Sequence, residues 1–91
     1  MYVLVFKERA KEDAWRLKQS GDNKVWKKFA TLLEEIKIHP TTGTGKPKHL
    51  KGFDTDRWSR RITEKHRLIY DIFEKTVTVE IIQTYGHYDD K

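Results

Sequence analysis

Two arginines, an imidazole and a phenol carry most of the chemistry this chain could do. Arg61 and Arg67 lie in Trp58-Ser59-Arg60-Arg61-Ile62-Thr63-Glu64-Lys65-His66-Arg67-Leu68-Ile69-Tyr70, and His87 and Tyr88 follow Tyr85-Gly86. A guanidinium is planar, permanently charged and able to donate two parallel hydrogen bonds, so a pair of them suits a phosphate. An unperturbed imidazole titrates near about 6.5 and can hand over a proton without special surroundings. Together these side chains could grip and cleave a phosphodiester. Upstream, the segment Thr41-Thr42-Gly43-Thr44-Gly45-Lys46-Pro47-Lys48-His49-Leu50-Lys51-Gly52 adds Lys46, Lys48, His49 and Lys51. Its Gly43-Thr44-Gly45-Lys46 lacks the G-x-x-x-x-G-K-[ST] spacing, and Pro47 takes the Ser/Thr position, which argues against a nucleoside triphosphate site. Taken singly, each residue has a plainer reading. Strand arginines pair with acids such as Asp71 or Glu80, and histidines and tyrosines near a terminus are solvated or packed. It is their combination that points to an anion.

The elements that must position these residues follow from periodicity. Tyr2 to Phe6 is apolar on both pleat faces, which predicts a strand covered by neighbours rather than an exposed edge. Glu8 to Gln19 reads as a helix with Ala10, Ala14 and Leu17 on its inner stripe and Gly21 at its end. Asp22 suits the N-cap of a second helix, in which Val25, Phe29, Leu32 and Ile36 recur at helical spacing until Pro40 closes it. From Pro40 to Arg57 the pattern stops, and a loop of that length in a small domain is usually functional or disordered.

Beyond the loop, Leu68, Tyr70, Ile72 and Val77, Val79, Ile81 alternate with polar residues, and a two-residue Glu74-Lys75 turn would set them opposite each other. For Trp58 and Ile62 to share that core face, the preceding turn needs an odd number of residues, most simply Glu64-Lys65-His66. Thr63 then pairs with Arg67, and Arg61 with Ile69. Arg61 and Arg67 fall on the face away from the core. Arg60 falls on the core side beside Tyr70, its stem packed and its guanidinium reaching water.

A chain of 91 residues has room for one domain, spanning 1–91, with a modest core. Its net charge of +5 favours an anionic partner. Cysteine is absent, so disulfides and thiolate zinc sites are unavailable, and a reducing cytoplasm fits. No apolar run approaches the roughly 20 residues of a membrane helix. Lys7 and Glu8 follow the first apolar stretch too soon for a signal peptide. The expected setting is cytoplasmic, without a membrane. No helix-turn-helix is legible.

Gly45-Lys46-Pro47, Leu50-Lys51, Trp58-Ser59-Arg60-Arg61-Ile62-Thr63-Glu64, His66-Arg67-Leu68, Tyr70 and His87-Tyr88 resemble, in order and over nearly the whole chain, the YoeB/Txe toxins of bacterial toxin-antitoxin modules, within the RelE group. The resemblance implies an α+β fold: a small twisted, mostly antiparallel four-stranded sheet packed by two N-terminal helices, in the order β-α-α-β-β-β. It implies a ribosome-dependent, metal-independent endoribonuclease that cuts mRNA in the ribosomal A site through attack by the ribose 2′-hydroxyl. No cofactor is implied. The implied partners are an acidic antitoxin of the YefM/Axe kind, the ribosome and mRNA; a homodimer is left open.

Carried over residue by residue, the pattern gives Arg67 the scissile phosphate, His87 the role of acid to the departing 5′ oxygen, and Tyr88 the orientation of RNA or phosphate. Lys46, His49, Lys51 and Arg61 would contact RNA. One departure stands out. Where the pattern has a glutamate after Gly-Lys-Pro, the presumed general base, this chain has Lys48, and His49 replaces a usual proline. Lys48 in a catalytic position would stabilise a phosphorane, with His49 placed to take up the proton. The alternative reading is a non-cleaving inhibitor that occupies the ribosome or RNA. The tail Asp89-Asp90-Lys91 is a second, smaller departure.

Overall fold

The computed structural model describes residues 1–86. Asp22 begins the longer helix as expected. Its side chain accepts hydrogen bonds from the amides of Lys24 (3.0 Å) and Val25 (3.3 Å), which otherwise have no partner at a helix start. The first helix, α1, is Glu8–Gln19 and the second, α2, is Asn23–Ile38; Gly21 joins them at a φ of 76° that glycine adopts without penalty. Ala10 and Leu17 from α1, with Phe29, Leu32 and Ile36 from α2, lie in one buried cluster. Across from them in that cluster are Ile62, Leu68, Tyr70, Ile72, Val79 and Ile81. The helices thus cover one face of a single sheet.

The sheet has five strands: β1 Val3–Phe6, β2 Lys48–Leu50, β3 Asp56–Arg61, β4 Arg67–Phe73 and β5 Thr78–Gln83. Their spatial order is β1-β5-β4-β3-β2, with β1 parallel to β5 and every other pairing antiparallel. The α+β class and the two leading helices agree with the sequence reading, while the strand count rises from four to five. The added strand, β2, lies inside the expected loop. Three residues are too few to show alternation, and β2 exists because β3 pairs with it, through Lys48 opposite Ser59 and Leu50 opposite Arg57.

β1 is at an edge, contrary to expectation. Leu4 and Phe6 pack on the core, but Val3 is 61% and Val5 42% exposed, so being apolar on both faces did not mean being covered on both.

Both hairpins also sit two positions from the expected register. Between β4 and β5 the turn runs from Glu74 to Val77, which pairs Tyr70 with Ile81 and Ile72 with Val79. Val77 leaves the core for a φ of 48°, its N–H donating to the Glu74 carbonyl at 3.1 Å. Between β3 and β4 the Thr63 hydroxyl accepts from the amides of Lys65 and His66, both at 3.1 Å. That local turn withdraws Thr63 from the ladder, and Arg61 pairs directly with Arg67. Because side chains alternate with a period of two, an even shift keeps the paired residues of β3 and β4 on their expected faces. Between β4 and β5, by contrast, Val77 leaves the core and the pairing slips by one at Ile69/Tyr70, setting Gln83 opposite Ile69.

Arg60 departs most from expectation. Its side chain is fully buried rather than reaching water. Nε donates to the Tyr70 hydroxyl (3.1 Å), Nη1 to Glu35 (3.0 Å) and the Thr44 carbonyl (3.3 Å), and Nη2 to the carbonyls of His39 (2.6 Å) and Thr42 (2.7 Å). The Tyr70 hydroxyl donates in turn to the Pro40 carbonyl at 2.6 Å. A buried guanidinium is tolerable only when its donors are matched in this way. The end of α2, the segment after it and the sheet are thereby tied at one point.

Candidate nucleic-acid interface

Paired residues on neighbouring strands share a face. Arg60, Leu68 and Tyr70 face the helices, so the intervening Ser59, Arg61, Arg67 and Ile69 face the other way. On that helix-free face Arg61 stands opposite Arg67. The next row holds Lys48, Ser59, Ile69 and Gln83, of which Ser59, Ile69 and Gln83 are buried and Lys48 is exposed. Consecutive rows are about 7 Å apart along the strands, a spacing that one nucleotide linkage can bridge. Lys46 joins from the segment before β2. The Arg61 N–H donates to the Gly45 carbonyl at 2.6 Å, which fixes the chain beside Arg61 immediately before Lys46.

Gly45 is needed for that approach. Its φ is 85°, and a Cβ there would lie 2.9 Å from the Arg61 carbonyl oxygen.

The charges on this face are unevenly matched. Arg57 donates to both oxygens of Asp71, at 2.7 and 2.9 Å, and lies over the Phe53 ring at 4.6 Å. Asp71 is therefore committed. Among the described residues neither Arg61 nor Arg67 forms an ion pair, and the Arg61 Nε is buried with no hydrogen-bond partner. Like charges directly across a ladder are destabilising. An anion placed between them would reverse the sign of that interaction.

His49 and Lys51 do not join this group. His49 pairs with Trp58 on the alternate face, its Nε2 lies 3.3 Å from Asp56, and its ring packs at a tilt of 53° against Trp58 with centroids 5.3 Å apart. The Trp58 indole N–H donates to the same Asp56 carboxylate at 2.9 Å. A proton acceptor for chemistry at Arg61 and Arg67 is thus not supplied by His49. Lys51 is three residues past Lys48, roughly 10 Å of extended chain toward the far end of the strand.

His87 and Tyr88 lie outside the described residues. The last described residue, Gly86, is held at the site. Its carbonyl accepts from the Arg67 amide at 3.1 Å, and its own amide donates to His66 Nδ1 at 2.9 Å. Sequence reasoning passed over His66 as a turn residue. The signal available was its position next to Arg67.

Elsewhere, the pKa of the Tyr2 phenol is raised by its hydrogen bond to Glu74, and two further perturbed titrations belong to the Arg60 hub. The Thr44 amide and hydroxyl, and then Arg60, hold Glu35 below the usual carboxylate range, although partial burial opposes them. Burial pushes the Tyr70 phenol up, opposed by Arg60. Among the described residues no three His, Cys, Asp or Glu side chains gather in a metal-binding arrangement, and no helix is long and apolar enough to cross a membrane.

Two helices on one face of a mostly antiparallel sheet make the fold of the RelE-type toxins. The model of the YoeB-like toxins of bacterial type II toxin-antitoxin systems matches residues 6–88, and the chain belongs to that family. Toxin YoeB of Escherichia coli K12 is 34% identical over 76 residues, covering 84% of this chain and 89% of the relative. A YoeB/ParE toxin from Agrobacterium tumefaciens superimposes with a TM-score of 0.85 at 34% identity, covering 94% of this chain and 99% of that one. The toxin of a heterotetrameric YoeB-YefM toxin-antitoxin complex from Staphylococcus aureus gives a TM-score of 0.78 at 34% identity, covering 97% and 99% respectively.

Proposed function

We propose that this toxin is a ribosome-dependent, metal-independent mRNA endoribonuclease that stops translation by cutting in the A site. The observation that carries the reading is the Arg61–Arg67 pair, directly opposed, without an ion-pair partner among the described residues, and flanked by Lys46 and Lys48. Arg67 holds the scissile phosphate and Arg61 shares its charge. The ribose 2′-hydroxyl gives its proton to solvent water as its oxygen bonds to phosphorus, the bond to the 5′-oxygen breaks as that oxygen gains a proton, and a 2′,3′-cyclic phosphate and a 5′-hydroxyl remain.

His87 supplies the proton to the departing oxygen, and Tyr88 orients the linkage. What supports these roles is that the last described residue, Gly86, has its carbonyl bonded to the Arg67 amide. Lys48 acts as a charge that stabilises the phosphorane, since the nearest strand carboxylate, Asp71, is occupied by Arg57 and His49 faces elsewhere. The same cationic face accepts the acidic tail of a cognate antitoxin of the YefM kind, so neutralisation and catalysis compete for one surface.

The absence of a free carboxylate beside the pair among the described residues also favours a second reading, occupation of the A site without cutting. Mapping mRNA 5′ ends in a translation extract separates the two. Wild type is expected to create new 5′-hydroxyl ends, and Arg67→Ala or His87→Ala to reduce them at least about 100-fold. Blocked translation without new ends would establish the second reading, and cutting undiminished by Arg67→Ala would defeat the first.

A further inference from the structure

We propose that His66 is the positioning residue that fixes where the chain departs for His87, a role that rests on the nuclease reading given above. Gly86 is held through both of its backbone groups by two consecutive residues: its N–H by the His66 ring at 2.9 Å and its carbonyl by the Arg67 amide at 3.1 Å. The residue that binds the phosphate in this scheme and the residue before the general acid are therefore joined through a single dipeptide.

The clip is rigid. The His66 N–H donates to the Thr63 hydroxyl, and its carbonyl accepts from the amides of Ile62 (3.0 Å) and Thr63 (3.1 Å). The ring stacks on Tyr85, centroids 4.2 Å apart, and Arg16 of α1 lies 5.7 Å from the centre of that tyrosine ring. Just upstream, the Thr84 amide donates to Asp13 at 3.2 Å, and the Gln83 side chain donates to the carbonyls of Tyr85 (3.3 Å) and Gly86 (3.4 Å).

An amide donor aimed at Nδ1 requires the lone pair there and the proton on Nε2, so His66 works as a neutral acceptor. Asparagine can present an amide oxygen close to the Nδ1 position, whereas leucine fills the space without an acceptor. Gly86 itself has a φ of 86° and nothing within 4 Å of a would-be Cβ, so its conformation, and not crowding, is what the clip needs.

Displacement of a reacting group by about 1 Å can cost on the order of 100-fold in rate. The test combines amide exchange with ribosome-dependent cleavage, using the full chain as wild type, His66→Leu and His66→Asn. His66→Leu is expected to speed Gly86 amide exchange and to lower cleavage roughly 100-fold with ribosome affinity unchanged. His66→Asn is expected to restore both toward wild type, which loss of packing alone would not allow. Equal Gly86 exchange in wild type and His66→Leu would overturn the clip, and faster exchange with undiminished cleavage would overturn its positioning role. If wild type itself makes no cuts, the nuclease reading fails and the positioning role falls with it, while the exchange comparison still decides whether the clip exists.

Discussion

Adjacent arginines meet opposite fates here because a strand alternates. Arg60 turns inward and matches its donors with Glu35, Tyr70 and three carbonyls; Arg61 turns outward and faces Arg67. Their substitutions should diverge accordingly. Arg60→Met should destabilise the fold by about 3 kcal/mol or more in urea unfolding, because Glu35 and the carbonyls lose their donor. Arg61→Gln should leave stability unchanged or raise it by up to about 1 kcal/mol, since it removes a like-charge opposition, while lowering mRNA cleavage. A large loss of stability in Arg61→Gln would show that its charge is matched after all. The side of the sheet each arginine takes was readable from alternation alone. The burial of the Arg60 guanidinium was not, because its carbonyl partners come from residues 39, 42 and 44, and no local pattern announces that they converge.

At the scale of elements, turns were the least legible. The Thr63 hydroxyl, capturing the Lys65 and His66 amides, lengthened one hairpin loop, and the left-handed Val77 lengthened the other. Neither signal is audible in hydrophobic periodicity. The helices were legible because capping and spacing agreed, as at Asp22 and at Phe29, Leu32 and Ile36. The link between α2 and the glycine segment is electrostatic and so depends on pH. Glu35 has a lowered folded value, so its contribution is complete above the ordinary value of 4.5 and is lost as pH falls through the lower folded value. Melting temperature should therefore drop on acidification below about 4.5, and Glu35→Gln should lower stability at neutral pH while flattening that drop. A wild-type profile with no steeper fall than the variant's would contradict this origin.

For the whole molecule, the unexpected feature is the edge position of β1. Val3 and Val5 point to the helix-free side and are exposed, whereas Leu4 and Phe6 anchor the strand on the core. Replacing Val3 and Val5 together with threonine should change unfolding free energy by no more than about 1 kcal/mol and should reduce heat-induced aggregation, because a flat apolar edge invites pairing between chains. A loss well beyond that would mean the two valines are packed.

The parallel pairing of β1 with β5 has a consequence for how the protein is made. Val3 has as its ladder partner Thr78, far along the chain, and among the described residues β1 pairs with no other strand. Copies truncated before β5 have nowhere to dock β1, and although they carry Arg61 and Arg67 they lack the Gly86 backbone that His66 and Arg67 hold. In an unfinished copy of this toxin β4 is left as an open edge and the sheet is incomplete.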